Sequence, residues 1–205
     1  MLITFEGIDG CGKSTQIELL KNYFIDKGIP FSFFREPGGT EISERIRSLL
    51  LHETKEMDPV TELLLFSAAR SQLINEKILP LLKKNQMVIL DRFYDSTTAY
   101  QGYGRESADL ASIQTLNRMA THNTKPDLTF YLKIQPEAAA RRTSKNEKDR
   151  MENSGTGFFK KVVDGYDTLA KQEKRFHIIN AEMSPDQIHS EIVAIIENYQ
   201  QSQTL

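Results

Sequence analysis

The sequence predicts an α/β fold of three layers, a five-stranded parallel sheet between two layers of helices, from three observations. Five short apolar runs, residues 2–5, 31–34, 87–90, 128–132 and 176–179, have the length of strands and are separated by helical patterns. Strands alternating with helices imply a parallel sheet covered on both faces, since each crossover helix packs back on the sheet. A glycine-rich turn directly follows the first run, at the carboxyl end of a strand, where such sheets bind ligands.

Taken in order, each element has a local cause. After the first strand, Ile17, Leu20 and Phe24 form the apolar stripe of a helix that Lys27-Gly28 closes, with Pro30 just beyond. Asp58-Pro59 is a cap followed by proline at the first helical position, and opens a long helix to about Lys84. Lys125-Pro126-Asp127 reads as a turn into the fourth strand. Ser184-Pro185-Asp186-Gln187 is a capping box, with Ile188, Ile192, Ile195, Ile196 and Tyr199 as the stripe behind it. The 205 residues contain no repeat and no Pro/Gly/Ser linker, so one domain, 1–205, is expected.

Composition narrows the class. Hydrophobic residues at 39% and charged residues at 26% fit a globular protein and not a disordered chain. A net charge of −2 supplies no basic field for nucleic acid. No apolar stretch reaches the roughly 18 residues of a membrane span, so no membrane partner is expected. The N-terminus enters the glycine-rich turn without a basic leader, which speaks against a signal peptide, and a single cysteine, Cys11, has no internal disulfide partner. A reducing cytoplasm is the expected location.

The glycine-rich turn carries the chemistry. Gly7-Ile8-Asp9-Gly10-Cys11-Gly12-Lys13-Ser14 fits the pattern G-x-x-x-x-G-K-[ST] without a mismatch. Its glycines let backbone N–H groups converge on an anion, Lys13 adds a cation for the β and γ phosphates, and the Ser14 hydroxyl can ligate Mg²⁺. Strand before and helix after are both present, so a nucleoside triphosphate site is predicted. Asp91 ends the third apolar run, where an acidic residue holds Mg²⁺ in phosphate-loop enzymes; capping the next turn is its alternative. Arg92 could grip a second phosphate or form a surface salt bridge.

A GTPase is excluded by context. Thr124-Lys125-Pro126-Asp127 matches the guanine-reading pattern but precedes a strand where it should follow one, and Asp91 is followed by Arg-Phe-Tyr, not by x-x-Gly. A phosphotransferase instead needs an acceptor pocket and a movable cover. Phe66 and Arg70 are four apart on one helix face and could stack on a base and bond its edge, although Phe66 taken alone reads more readily as core. Residues 141–157, with Arg141, Arg142, Lys145, Lys148 and Arg150 and then Gly155 and Gly157, form either a solvated basic face or a lid.

Four segments then resemble one family. Residues 5–15 (Phe-Glu-Gly-Ile-Asp-Gly-Cys-Gly-Lys-Ser-Thr), Arg35-Glu36-Pro37-Gly38-Gly39-Thr40, residues 91–102 (Asp-Arg-Phe-Tyr-Asp-Ser-Thr-Thr-Ala-Tyr-Gln-Gly) and Pro126-Asp127-Leu128-Thr129 strongly resemble thymidylate kinases, in family order and spacing. The resemblance implies a P-loop nucleoside monophosphate kinase fold and transfer of the γ-phosphoryl group of ATP–Mg²⁺ to dTMP. A kinase preferring another acceptor, such as dUMP, is the near alternative. Residues 7–15, Thr15 included, would hold ATP. Phe66 would stack on thymine, Arg70 would bond its carbonyl edge, and Thr97 and Gln101 would border it. Glu36 and Pro37 would line the acceptor pocket, Arg92 would grip the acceptor phosphate, and Tyr100 would lie where a 2′-hydroxyl would project. Asp9 would sit near the sugar 3′-hydroxyl or the metal, and Ser14 and Asp91 would serve that metal. With no arginine inside the loop, the bacterial-type arrangement is implied, in which Arg142 or Arg150 of the lid supplies the transition-state charge. Asn180-Ala181 stands where the family often has Asp-Ala near the adenine. The family is commonly dimeric, so a homodimer is implied.

Overall fold

All five apolar runs are strands in the computed structural model, which describes residues 1–53, 56–144 and 149–203. They are β1 (Leu2–Glu6), β2 (Phe31–Arg35), β3 (Met87–Asp91), β4 (Leu128–Lys133) and β5 (Phe176–Asn180). Every pairing is parallel, in the order β2-β3-β1-β4-β5, with Thr4 of β1 opposite Leu90 on one side and Thr129 on the other. The central strands are apolar almost throughout because both faces are covered. Alternation sorts them: Ile3, Phe5 and Ile89 enter one core, Leu2, Val88 and Leu90 the other. The polar exceptions satisfy each other, the Thr4 and Thr129 hydroxyls lying 2.8 Å apart.

The helices follow in chain order: α1 (Lys13–Asp26), α2 (Glu41–Ser48), α3 (Pro59–Leu73), α4 (Leu79–Lys83), α5 (Tyr94–Thr97), α6 (Leu110–Ala120), α7 (Pro136–Arg142), α8 (Thr156–Gln172) and α9 (Pro185–Ser202). α1 buries Ile17, Leu20 and Phe24 and gives way to Gly28 in a left-handed conformation, φ 66°. The Asp58 carboxylate accepts from the N–H groups of Val60 at 3.0 Å and Thr61 at 2.9 Å, as the cap requires. The long helix predicted from Asp58 does reach α4, but not as one α-helix. Between α3 and α4, Ile74–Ile78 is π-helical, and the Leu79 N–H bonds Ile74 O, five residues back. Pro80 explains the widening: its ring has no N–H to donate and would collide with the carbonyl four residues earlier.

Asp127 confirms the turn before β4. Its N–H donates to Leu2 O at 2.8 Å and its carboxylate accepts from Leu2 N–H at 2.6 Å, so the turn seats β4 on β1. Lys145 and Lys148 of the basic segment lie outside the described residues. Among the described residues no helix is long and apolar enough to cross a membrane.

β1 lies between β3 and β4; the connection after β1 runs to β2 on one side and that after β3 runs to β4 on the other, so the carboxyl ends of β1 and β3 open a crevice. α9 closes the adjoining end through its capping box: the Ser184 hydroxyl accepts from Gln187 N–H at 3.3 Å, and the Gln187 side chain accepts from Ser184 N–H at 3.1 Å. Ser184→Ala should therefore cost about 1 kcal/mol, and Ser184→Gly only a few tenths. Urea unfolding of the two variants beside the parent checks this.

Candidate active site

Between β1 and α1 the backbone turns through Gly7, Gly10 and Gly12, all at positive φ. Glycine is required for space as well: a Cβ on Gly7 would lie 2.7 Å from Leu132 O, and one on Gly10 2.6 Å from Ala139 O. The loop opens a cleft of about 510 Å³ lined by residues 9–16, with Asp91, Arg92, Arg35, Arg47 and Arg142 around it. Lys13 Nζ donates to Gly7 O at 3.0 Å and Ile8 O at 3.3 Å, which points the ammonium into the turn. Ile8 and Cys11 are buried in the core beneath, and Ser14 and Thr15 are exposed at the opening of α1.

The donors present fit a divalent cation. Asp91 Oδ1 is buried and accepts no hydrogen bond among the described residues, and it lines the same cleft as Ser14. A buried carboxylate oxygen without a donor is rare unless something else neutralises it. No cluster of three or more His, Cys, Asp or Glu among the described residues could hold an ion alone. Two protein oxygens, with the rest from phosphates and water, are what a magnesium-like ion takes.

A second cavity, about 110 Å³, adjoins the first and shares Asp9, Glu36, Arg47 and Arg92 with it. Arg92 sits at φ 69°, and its guanidinium folds back over the loop. Nη1 donates to Gly7 O at 2.9 Å, and Nη2 to Asp9 Oδ1 at 2.7 Å and Tyr100 Oη at 3.2 Å. Burial would raise the Asp9 carboxyl, but Arg92 and then Lys13 outweigh it and hold its pKa at about 2. Arg92 is thus neither a surface salt bridge nor free.

Phe66 and Arg70 of α3 both line the second cavity, with Pro37, Thr97, Tyr100 and Gln101. Arg70 is buried and held on three sides: Nε donates to Glu36 Oε2 at 2.7 Å, Nη1 to Thr97 Oγ1 at 2.9 Å, and Nη2 to Phe93 O at 3.2 Å. Burial pushes the Glu36 carboxyl up even against Arg70. The Tyr100 ring meets Phe158 and Phe159 edge-on, so it forms a fixed wall. One cavity thus gathers the residues that the sequence nominated for an acceptor pocket.

The two lid arginines are not equivalent. Arg142, the last residue of α7, lines the loop cleft and donates to Gly10 O at 3.3 Å and Ala181 O at 3.0 Å. Arg150 does not line that cleft. Its Nη1 lies 2.6 Å from Glu62 Oε2 and its Nε donates to Leu50 O at 2.8 Å, because the buried Glu62 carboxylate of α3 draws it there. In this structure Arg150 therefore sits against α3 and not beside the loop where the sequence reading expected it.

Three residues had no signal in the sequence. Arg47 borders both cavities from the end of α2, where it reads as an ordinary surface arginine. Glu62 lies in the first turn of α3, where an acidic residue is ordinary helix-start chemistry. Glu6, inside β1, accepts from Phe93 N–H at 2.8 Å, Ser96 Oγ at 2.6 Å and Tyr166 Oη at 2.9 Å. Only the anomaly of a carboxylate in a buried strand could have flagged it.

The family model for thymidylate kinase matches residues 5–192. This chain belongs to the thymidylate kinase family. Among curated relatives, a thymidylate kinase of Chlorobium limicola is 49% identical over 208 residues, covering 96% of this chain and 94% of the relative. One of Chlorobaculum tepidum is 47% identical, covering 96% and 97%. A third, of a Thermoanaerobacter species, is 42% identical over 198 residues with the same coverage. The resemblance carried by the loop and by residues 91–102 is borne out, and the parallel sheet is the fold of thymidylate kinases.

Glu6 generates a pH prediction. Burial, then Asp95, raises its pKa from 4.5 to about 7. Between those values the folded chain holds a proton that the unfolded chain has lost, so this group's contribution to stability is full below pH 4.5 and declines as pH rises through 7. Unfolding free energies of the parent minus those of Glu6→Gln should therefore fall between about pH 5 and pH 8. A difference flat with pH would show that Glu6 holds no extra proton.

Proposed function

We propose that the two cavities are the donor and acceptor halves of one phosphoryl-transfer site, at which this thymidylate kinase converts dTMP to dTDP with ATP. The observation that carries the assignment is the shared wall. Asp9 and Arg92 belong to both cavities, so a phosphoryl group at the loop and a phosphate at Arg92 would face each other. In-line transfer needs that alignment and little covalent chemistry.

In this reading the N–H groups of residues 9–15 and the Lys13 ammonium take the triphosphate, and Gly7 and Ile8 hold Lys13 in place. Ser14 and Asp91 would hold Mg²⁺, which would supply charge neutralisation of the triphosphate. Arg92 orients the acceptor phosphate, with Asp9 fixing its fork. Phe66 stacks on the thymine, Arg70 presents its remaining N–H groups to a base carbonyl, and Glu36 and Thr97 hold Arg70 at the right angle. Tyr100 walls the sugar and leaves no room for a 2′-hydroxyl. Arg142 bonds the loop at Gly10 and is the cation best placed for charge developing on the transferring group. Residues 141–157, of which 145–148 lie outside the described residues, act as the lid of a single domain.

A cytoplasmic homodimer completes the proposal. The exposed Val60 and Leu64 on α3 and Met119 on α6, helices that pack together, offer an apolar face for a second copy, and a lone free cysteine suits a reducing compartment. Sedimentation at twice the 23.4 kDa chain mass checks the dimer.

The function itself is tested by ADP release with ATP and a panel of monophosphates. The panel should rank dTMP first and dUMP behind it, and turnover of AMP or dCMP as fast as dTMP would overturn the acceptor assignment. Arg142→Ala should lower kcat by about 10²-fold or more with a smaller change in KM for dTMP, as for a group acting mainly in the transition state. Lysine there should rescue only partly. Arg150→Ala should instead act chiefly on KM for dTMP. Equal kcat losses in the two alanine variants would contradict the separation of their sites.

A further inference from the structure

Glu62 is 1% exposed, yet no part of the mechanism above uses it. Its two oxygens meet only donors: Gln101 Nε2 at 2.8 Å and Arg105 Nε at 3.5 Å from Oε1, Arg150 Nη1 at 2.6 Å from Oε2. Burying a carboxylate costs several kcal/mol unless donors and opposite charges compensate, and here three side chains do. Packing alone does not call for such a group, since an apolar residue of similar size would fill the space at lower cost.

We propose that Glu62 is a positioning residue for acceptor choice: it fixes the Gln101 amide with its oxygen turned to the base. The proposal rests on the acceptor cavity assigned above. A glutamine amide is nearly symmetric in shape but not in chemistry, presenting two donors at one end and an acceptor at the other, so a neighbour must decide which end faces which way. A carboxylate accepts only. Gln101 must therefore give its N–H to Glu62, and its Oε1 is left for the other side. That oxygen accepts no hydrogen bond among the described residues, while Gln101 lines the acceptor cavity. The cavity thus presents an acceptor to the edge of a bound pyrimidine. Thymine and uracil carry a hydrogen on N3 and can donate to it; cytosine has a lone pair there and would be repelled. Arg105 and Arg150 serve the same end, because their charges keep a buried carboxylate tolerable where a neutral amide would let Gln101 turn over.

The test measures kcat/KM for dTMP and for dCMP in the full chain, in the parent, Glu62→Gln and Glu62→Asp. Glutamine at 62 offers a donor as well as an acceptor, so either orientation of Gln101 becomes possible. Aspartate keeps the charge for both arginines but falls one methylene short of Gln101. Both should lower the dTMP-to-dCMP ratio at least about tenfold, since a site that hydrogen-bonds a substrate N–H discriminates strongly only while its partner is fixed. Each substitution is then repeated in a Gln101→Met background, where the ratio is already low and Glu62 should no longer change it. A merely structural Glu62 would lower both kcat/KM values together and leave the ratio within about twofold of the parent, which overturns the proposal. A ratio that falls equally in the Gln101→Met background also overturns it, as does failure of both Glu62 variants to fold, which would make the carboxylate a folding clamp. A parent that does not phosphorylate dTMP at all would instead remove the acceptor reading itself.

Discussion

The ion pair between Arg92 and Asp9 ties together the two strand ends from which the site is built. Asp9 follows β1 and Arg92 follows β3, and the same guanidinium also bonds Gly7 O and Tyr100. Around it the backbones lock: Arg92 N–H donates to Phe5 O, and Phe93 N–H to the Glu6 carboxylate. Arg92 can reach back only because its own φ is positive, an uncommon conformation that these bonds hold in place. Release of the pair would leave Asp9 only the more distant Lys13, at 3.8 Å, and would loosen the tie between the glycine-rich loop and the second cavity.

The same device recurs elsewhere in the fold. Glu36 with Arg70, Glu62 with Arg150 and Asp95 with Arg175 are all buried carboxylates paired to arginines, the last in a two-pronged arrangement at 2.7 and 2.9 Å. Such pairs are poor sources of stability, because desolvation offsets most of the attraction. They are good sources of direction. A planar fork bound at two or three points cannot rotate, so its remaining N–H groups are aimed before any substrate arrives. The cost of holding charges inside the protein is met at folding, and the site then needs little rearrangement when charge develops in a transition state.

How much could be read from the chain alone differs between the two halves of the site. The phosphate loop was legible residue by residue, because tight turning, anion binding and close backbone packing leave glycine, lysine and serine few substitutes. The acceptor cavity was legible chiefly through resemblance, since Phe66 taken alone reads as core and Arg92 as either a phosphate contact or a surface salt bridge. The position of Arg150 was not legible for a related reason. Its position depends on Glu62, nearly ninety residues earlier, and no local pattern connects them. Arg47 was invisible, an arginine near a helix end whose only distinction is the space it faces.

Local chemistry therefore determined the five strands, the caps at Asp58 and Ser184, the turn before β4 and the glycine-rich turn between β1 and α1. Each depends on neighbours within a few residues, which sequence order already supplies. The tertiary structure alone decided which charges pair, how Pro80 reshapes the helix ahead of it, which of two basic-segment arginines stands over the loop, and that a carboxylate within α3 faces the amide of Gln101. Those outcomes are set by burial. Once water is excluded, every ionised group must find a partner, and which partner is near depends on how the strands cross and not on where residues fall along the chain.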